Sequence, residues 1–331
     1  MIGHGRILTQ TKIAPNFRST EKDQPLDSVT GMPGLCILSI DTELAWGIDA
    51  QDLPRYSKVL DDEPIIIRRL IGLLDEHQIP ATWALVGQLL MAPEDRREGG
   101  RTPERWYYAP RLLEWINNAR VRHEVGTHTF SHVCAHDVST TRELWRQELE
   151  AAAQMSMRHG ITMRSIVYPR NQVAHTDILS DFGIIAYRGV EQSWYGNHHG
   201  VLHFVDRALG VASPTYDLRR LREGDRLVNL PASQFLMGDN GMRKLIPPAS
   251  RIRQARLALD RATRRGELYH LWFHPFNLGG DGRMFQTLDR ILRDISERRD
   301  RGEIAVMTMG QTADLVLRGA GESALETEGR P

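Results

Sequence analysis

Short apolar runs alternate with longer segments of helical periodicity along almost the whole chain, and nothing else in the sequence restricts the fold as strongly. LCILSID (35–41) has the near-continuous apolar character of a strand buried on both faces. ATWALVG (81–87), HEVGTH (123–128), RSIVYP (164–169), GIIAYR (183–188), RLVNLP (226–231), ELYHLWFHP (267–275) and EIAVMTM (303–309) read as further strands. Helical spacing of apolar residues marks 65–77, 110–119, 142–160, 251–266 and 286–300, with Gly160 placed as a C-cap. Strands and helices in alternation predict an α/β fold with a parallel sheet, either a barrel or a doubly wound sheet.

The 331 residues suit one large domain. No linker or low-complexity run divides them, and no internal repeat is evident. Residues 1–34 are polar and contain Pro15, Pro25 and Pro33, so an extended arm is expected before a catalytic domain over 35–315. The small, polar residues 316–331 are expected to form a flexible tail, fraying from Gly319. Lys+Arg and Asp+Glu both number 42, so no global basic field favours nucleic acid. Cys36 and Cys134 are too few for a disulfide scaffold or a thiolate zinc site, and two unrelated thiols are the simplest expectation. No run approaches the ~18 apolar residues of a membrane span. The first residues have no apolar core of a secretory signal, so a cytoplasmic location is expected.

In α/β folds the working residues gather where strands end. The first strand ends in Asp41-Thr42-Glu43. On extended chain both carboxylates point to one side, so one can bind a metal while the other acts as a base. His128 and His132 have H-x3-H spacing, which on a helical turn puts both imidazoles on one face. Two histidines and one carboxylate leave an open position for water, as catalytic zinc requires. His270 and His274 share the same spacing, but along a strand they lie ~13 Å apart. His270 therefore reads as structural, and His274, before Pro275, as the residue at the mouth of the fold. The turn Tyr168-Pro169-Arg170-Asn171 offers a guanidinium that can pair with a strand-end carboxylate. Tyr168 and Asn171 in that turn, and Trp194 in the aromatic and imidazole loop EQSWYGNHHGVLH, are the candidates for substrate contacts.

The order D-x-E, H-x3-H, Pro/Arg turn, L-x-x-H resembles the polysaccharide deacetylases of the NodB-homology type, carbohydrate esterase family 4. The resemblance spans about residues 35–310. ILSIDTE is similar to a variant first motif with one residue between the acids; HTFSH resembles the H-[ST]-x-x-H metal motif; LWFH resembles L-x-x-H. The resemblance implies a distorted (β/α) barrel of about seven strands. It implies Asp41 as catalytic base, Glu43, His128 and His132 as metal ligands, Arg170 holding Asp41, and His274 as general acid. The implied reaction is metal-assisted hydrolysis of an N-acyl group, most naturally N-acetyl; the expected cytoplasmic location favours a small or a lipid- or nucleotide-linked sugar over cell-wall polymer as substrate. Such a base and acid together predict a bell-shaped pH profile. Zinc suits the ligand set, though Co²⁺, Fe²⁺, Mn²⁺ or Ni²⁺ also fit it. Hydrolysis of formyl groups or cyclic ureides, and a carbohydrate-binding protein with a degenerate site, stay open alternatives. Phosphoryl chemistry has no glycine-rich loop to support it.

Overall fold

The computed structural model describes residues 32–95, 103–191, 210–211 and 213–328. One curled sheet organises them. Its strands are β1 (Gly34–Thr42), β2 (Thr82–Leu85), β3 (Glu124–Thr127), β4 (Ser165–Ile166), β5 (Ala186–Tyr187), β6 (Tyr216–Asp217), β7 (Arg222–Glu223), β8 (Leu227–Asn229), β9 (Gln234–Phe235), β10 (Glu267–Phe273) and β11 (Ile304–Met307). The parallel body runs β10-β1-β2-β3-β4-β5-β8, as the alternation of elements predicts. The antiparallel pairings are short: β6 on β10 and β7 on β8.

Curling into a distorted barrel follows from one segment. Residues 227–235 pair first with β5, through β8, and then with β10, through β9. Between these ladders the backbone continues the link, with Ala232 N–H bonded to Gly189 O and Ser233 N–H to His270 O. The sheet thereby returns towards its own start. The central strand β1 has no exposed residue and pairs with β10 over Leu35–Ile40. Its other edge is shared end to end, β11 along Gly34–Ile37 and β2 along Ser39–Thr42.

Alternation along β1 and β10 sorts two environments. Cys36, Leu38 and Ile40, with Tyr269, Leu271 and Phe273, face the helix layer and join its apolar cluster. Leu35, Ile37 and Leu268 face the opposite way and pack with Val167, Ala186, Val228, Met309 and Ala313. Further along this second face come Ser39, Asp41, His270, Trp272 and His274. The barrel interior is thus apolar at one end and becomes polar at the strands' C-terminal ends.

The helices are α1 (Leu53–His77), α2 (Leu112–Asn117), α3 (Arg142–Arg158), α4 (Pro248–Arg265), α5 (Arg283–Asp300) and α6 (Met309–Glu328). Helix α1 begins 12 residues before the periodic stretch at 65–77. The earlier turns are charged and precede Pro64, which reads as a breaker, but they pack against the Pro275–Leu278 turn and stay helical. Helix α6 continues through the residues read as a tail, to Glu328. Its first turns close the apolar end of the barrel with Met309 and Ala313. Cys36 and Cys134 are both free and buried. Among the described residues, no helix is long and apolar enough to cross a membrane.

Candidate metal and catalytic site

The ends of β1, β3, β9 and β10, with the turn after β4, converge on a cavity of about 250 Å³. Asp41 and Glu43 stand at the end of β1, both almost fully buried. Glu43 Oε2 lies 3.2 Å from His128 Nε2 and 2.9 Å from His132 Nε2. Room for the longer carboxylate depends on Gly47, where a Cβ would sit 2.1 Å from Glu43 Oε1.

The two histidines do not lie on a helical turn, as their spacing suggests. Thr129 and His132 have φ of +64° and +63°, so the loop reverses between left-handed residues. The conformation is held from both sides. Gly87 N–H bonds Thr129 O and Gln88 N–H bonds Phe130 O. Ser131 donates its backbone N–H and its hydroxyl to the two oxygens of Glu148 on α3, at 2.8 and 2.6 Å. Tertiary contacts do here what helical periodicity would otherwise do.

The donor set fits a borderline divalent cation. His128 Nδ1 is 2.8 Å from Val167 O, a carbonyl that can only accept, so Nδ1 carries the proton. The Nε2 of the neutral ring is then a bare lone pair facing a carboxylate oxygen. Two acceptors in that position need a proton or a cation between them. One ligand atom from each of Glu43, His128 and His132 lies within 4.8 Å of the others. Two imidazoles and one carboxylate are a zinc-type set.

Asp41 is held by Arg188, not by Arg170. The Arg188 guanidinium is fully buried and donates to Asp41 Oδ1 and Oδ2 at 2.6 Å each. Burial raises the Asp41 pKa, but the charge and hydrogen bonds of Arg188 outweigh it and hold the carboxyl below its usual value. Arg188 also donates to Ser39 Oγ and Asn171 Oδ1 and stacks 4.1 Å over Trp272. Ser39 accepts from Arg188, so its proton points to His270 Nε2, 2.9 Å away, while His270 Nδ1–H donates to Leu230 O. Burial first, then the Arg188 charge, lowers the His270 pKa to about 3 and keeps the ring neutral. His270 is structural, as its position along the strand suggests.

Arg170 instead pairs with Asp49 at 2.7 Å on the exposed rim. Both Arg170 and Asn171 have left-handed backbone, near φ +53°, which turns Arg170 outward and brings Asn171 in. The sequence nevertheless contains the correct arginine in plain view, as the last residue of GIIAYR, at the end of a predicted strand.

His274 lies opposite, its Nε2 3.3 Å from Glu43 Oε1 and 3.9 Å from Asp41 Oδ2. Asn277 Oδ1 accepts from the His274 backbone N–H and from Nδ1, which aims Nε2 into the cavity. Phe276 stacks on the ring at 4.6 Å, and Phe235 and Trp272 meet it edge-on. Burial opposes ionisation of Glu43, yet His274, His128 and His132 hold its pKa well below the usual carboxylate range.

Two substrate-contact candidates fare differently from expectation. Tyr168 is fully buried, stacked on Trp145 and bonded to Ala174 O, so it belongs to the core and not to the cavity. Asn171 lines the cavity, but its side-chain oxygen is used on Arg188. Trp194 lies outside the described residues. The aromatic walls are Tyr56, Phe235, Trp272 and Phe276, and no local pattern singles them out.

A model of the polysaccharide deacetylase family matches residues 59–183. That span contains the H-x3-H loop, while Asp41, Glu43, Arg188 and His274 lie outside it. By sequence, the chain matches no curated protein. Among solved structures it is similar to a protein assigned as a polysaccharide deacetylase from Mycobacterium smegmatis, with a TM-score of 0.60 at 19% identity over 89% of this chain and 96% of that one. A second such protein, from Pseudomonas aeruginosa PAO1, gives 0.55 at 10% identity over 85% and 89%. An allantoinase gives 0.56 at 9% identity over 88% and 97%. At these identities the likeness is one of fold. Residues 59–183 thus match the polysaccharide deacetylase family, and the curled, mostly parallel sheet has the NodB-like fold of these solved structures.

Proposed function

We propose that this protein is a metal-dependent hydrolase that removes an N-acyl group, acetyl in the first instance, from a sugar or sugar-containing intermediate. One observation carries the reading: a Glu43–His128–His132 ligand set adjoins an ionised Asp41 on one side and an aimed His274 on the other. A zinc-type cation held by the three ligands would supply Lewis acidity towards the acyl oxygen and lower the pKa of water.

The residues of the chain divide the remaining work. Arg188 keeps Asp41 ionised and fixes its plane, while each carboxylate oxygen keeps a lone pair beyond the guanidinium bond. Asp41 takes the proton of the attacking water as its oxygen bonds to the acyl carbon. His274, oriented by Asn277, delivers its Nε2 proton to the nitrogen as the C–N bond breaks. The products are a carboxylic acid and an amino sugar. Tyr56, Phe235, Trp272 and Phe276 present ring faces and edges suited to the apolar faces of a sugar.

Elemental analysis with activity assays tests the assignment. Wild type is expected to hold about one zinc-type ion per chain. His128→Ala/His132→Ala is expected to lose both metal and activity. Asp41→Asn is expected to keep the metal and lose at least ~100-fold in kcat, the scale of general base catalysis. Near-wild-type turnover by Asp41→Asn would overturn the role of the base, and failure to bind metal after reconstitution would overturn the hydrolase reading.

A further inference from the structure

Beside the catalytic cavity lies a second, larger hollow of about 550 Å³. Tyr56, Phe276 and Asn277 line both, so the two spaces meet at the Tyr56–Phe276 edge-to-face pair, whose centroids are 6.0 Å apart. Phe276 also stacks on His274. A substrate seated with its acyl group near His274 therefore has a continuous path into the hollow.

The hollow gathers several cations. The sequence has four lysines, and two of them, Lys58 and Lys244, line it together with Arg55. Arg243 stands at the junction, in the catalytic cavity's lining. Among the described residues these four cations have no carboxylate partner, and what sets them apart from other unpaired surface arginines such as Arg220 and Arg264 is that they cluster around one hollow. The acids of the hollow are placed differently. Asp239 and Asp281 are both engaged by Arg283, at 3.3 and 2.8 Å, and Asp62 stands one helical turn beyond Lys58. The cations come from two elements, Arg55 and Lys58 from α1 and Lys244 from the Gly241–Leu245 turn. The Arg55 guanidinium reaches across to within 3.8 Å of the point a Cβ on Gly241 would occupy.

We infer that this hollow is an anion subsite that binds the phosphate or diphosphate of a phosphate-linked N-acyl amino sugar. The inference rests on the deacylase reading of the adjoining cavity. A single carboxylate needs one cation, whereas a diphosphate carries several charges and many acceptor oxygens, matching a cluster of mobile ammonium groups and a guanidinium fork. Neutral polysaccharide offers these cations nothing. A nucleotide-linked sugar and a lipid-linked sugar share the recognised chemistry.

The test uses full-length, zinc-loaded protein and three probes: uridine-diphosphate N-acetylglucosamine, N-acetylglucosamine on a short prenyl diphosphate, and neutral methyl N-acetylglucosaminide, with N-formyl counterparts. In Arg55→Ala/Lys58→Ala/Lys244→Ala, the ratio of kcat/KM for diphosphate-linked over neutral substrate is expected to fall at least ~10-fold through KM, and the wild-type ratio to fall between about 50 and 300 mM NaCl. Lys58→Arg/Lys244→Arg, which keeps the charges, is expected to keep the wild-type ratio. The arm with the higher wild-type ratio identifies the nucleotide or the lipid as source. A ratio unchanged by the triple substitution overturns the subsite. If wild type turns over no probe, the deacylase reading fails separately, and calorimetric binding of uridine diphosphate then decides: affinity lost in the triple variant supports the subsite, and equal or absent binding overturns it.

Discussion

Arg188 shows how much a single residue decides. It is fully buried, and its five donors go to Asp41, Ser39 and Asn171 while its face lies on Trp272. Arg188→Met leaves Asp41 buried without its counter-charge, a loss of the ~3–5 kcal/mol class. Lysine cannot reproduce the two-point grip. Arg188→Lys is expected to fold and to lose ~100-fold or more in kcat, whereas Arg170→Ala, on the exposed rim, is expected to change kcat by less than about threefold. Steady-state kinetics with thermal melts of both variants separates the two arginines. The reverse pattern would restore Arg170 as the holder of Asp41. Both arginines stand at the ends of predicted strands in the sequence, and the left-handed backbone at 170, which 188 does not share, sends one out and leaves the other in.

At the scale of elements, the His128–His132 loop is positioned by a helix none of whose residues lines the cavity. Glu148 on α3 receives the two donors of Ser131, and Ser131 lies next to His132. A loop with two left-handed residues does not hold its shape by local preference. Glu148→Ala is therefore expected to lower zinc affinity ~10–100-fold, the usual cost of losing an outer support of a metal ligand. Competition with a chromophoric chelator measures it, and Glu148→Gln, which still accepts from the Ser131 donors, is expected to recover part of the loss. Unchanged affinity in Glu148→Ala would show that the loop stands without α3. The H-x3-H spacing picks out two histidines that the structure brings together, but not the geometry that does so. Helical spacing brings two side chains to one face, and here a reversal of the chain does so instead.

The whole molecule's stability carries a pH signature from one group in its core. Glu63 on α1 is fully buried, and among the described residues neither carboxyl oxygen has a hydrogen-bond partner. Burial, and secondarily the Glu43 charge, raises its pKa from 4.5 to about 8. The folded state therefore holds this proton over a range where the unfolded chain releases it. The contribution of Glu63 is intact below pH 4.5 and is lost as pH rises to about 8. The full loss is on the order of 5 kcal/mol. Glu63→Gln removes the titration, so its stability relative to wild type is expected to rise steadily from pH 5 to pH 8, as read by urea unfolding at several pH values. A constant difference across that range would show that Glu63 titrates normally. The alternating pattern of elements determined the parallel α/β sheet, because buried strands and amphipathic helices differ in period and each must bury its apolar face. Strand ends likewise located Asp41, Glu43, His128, His132 and His274, because a parallel sheet gathers those ends on one side. Tertiary structure alone decided that Arg188 holds Asp41, that Asn277 aims His274, that Tyr168 belongs to the core, and that Arg55, Lys58 and Lys244 face one hollow. Those are relations between side chains far apart in sequence, set by strand register and loop reversal, and neither leaves a periodic trace in the chain.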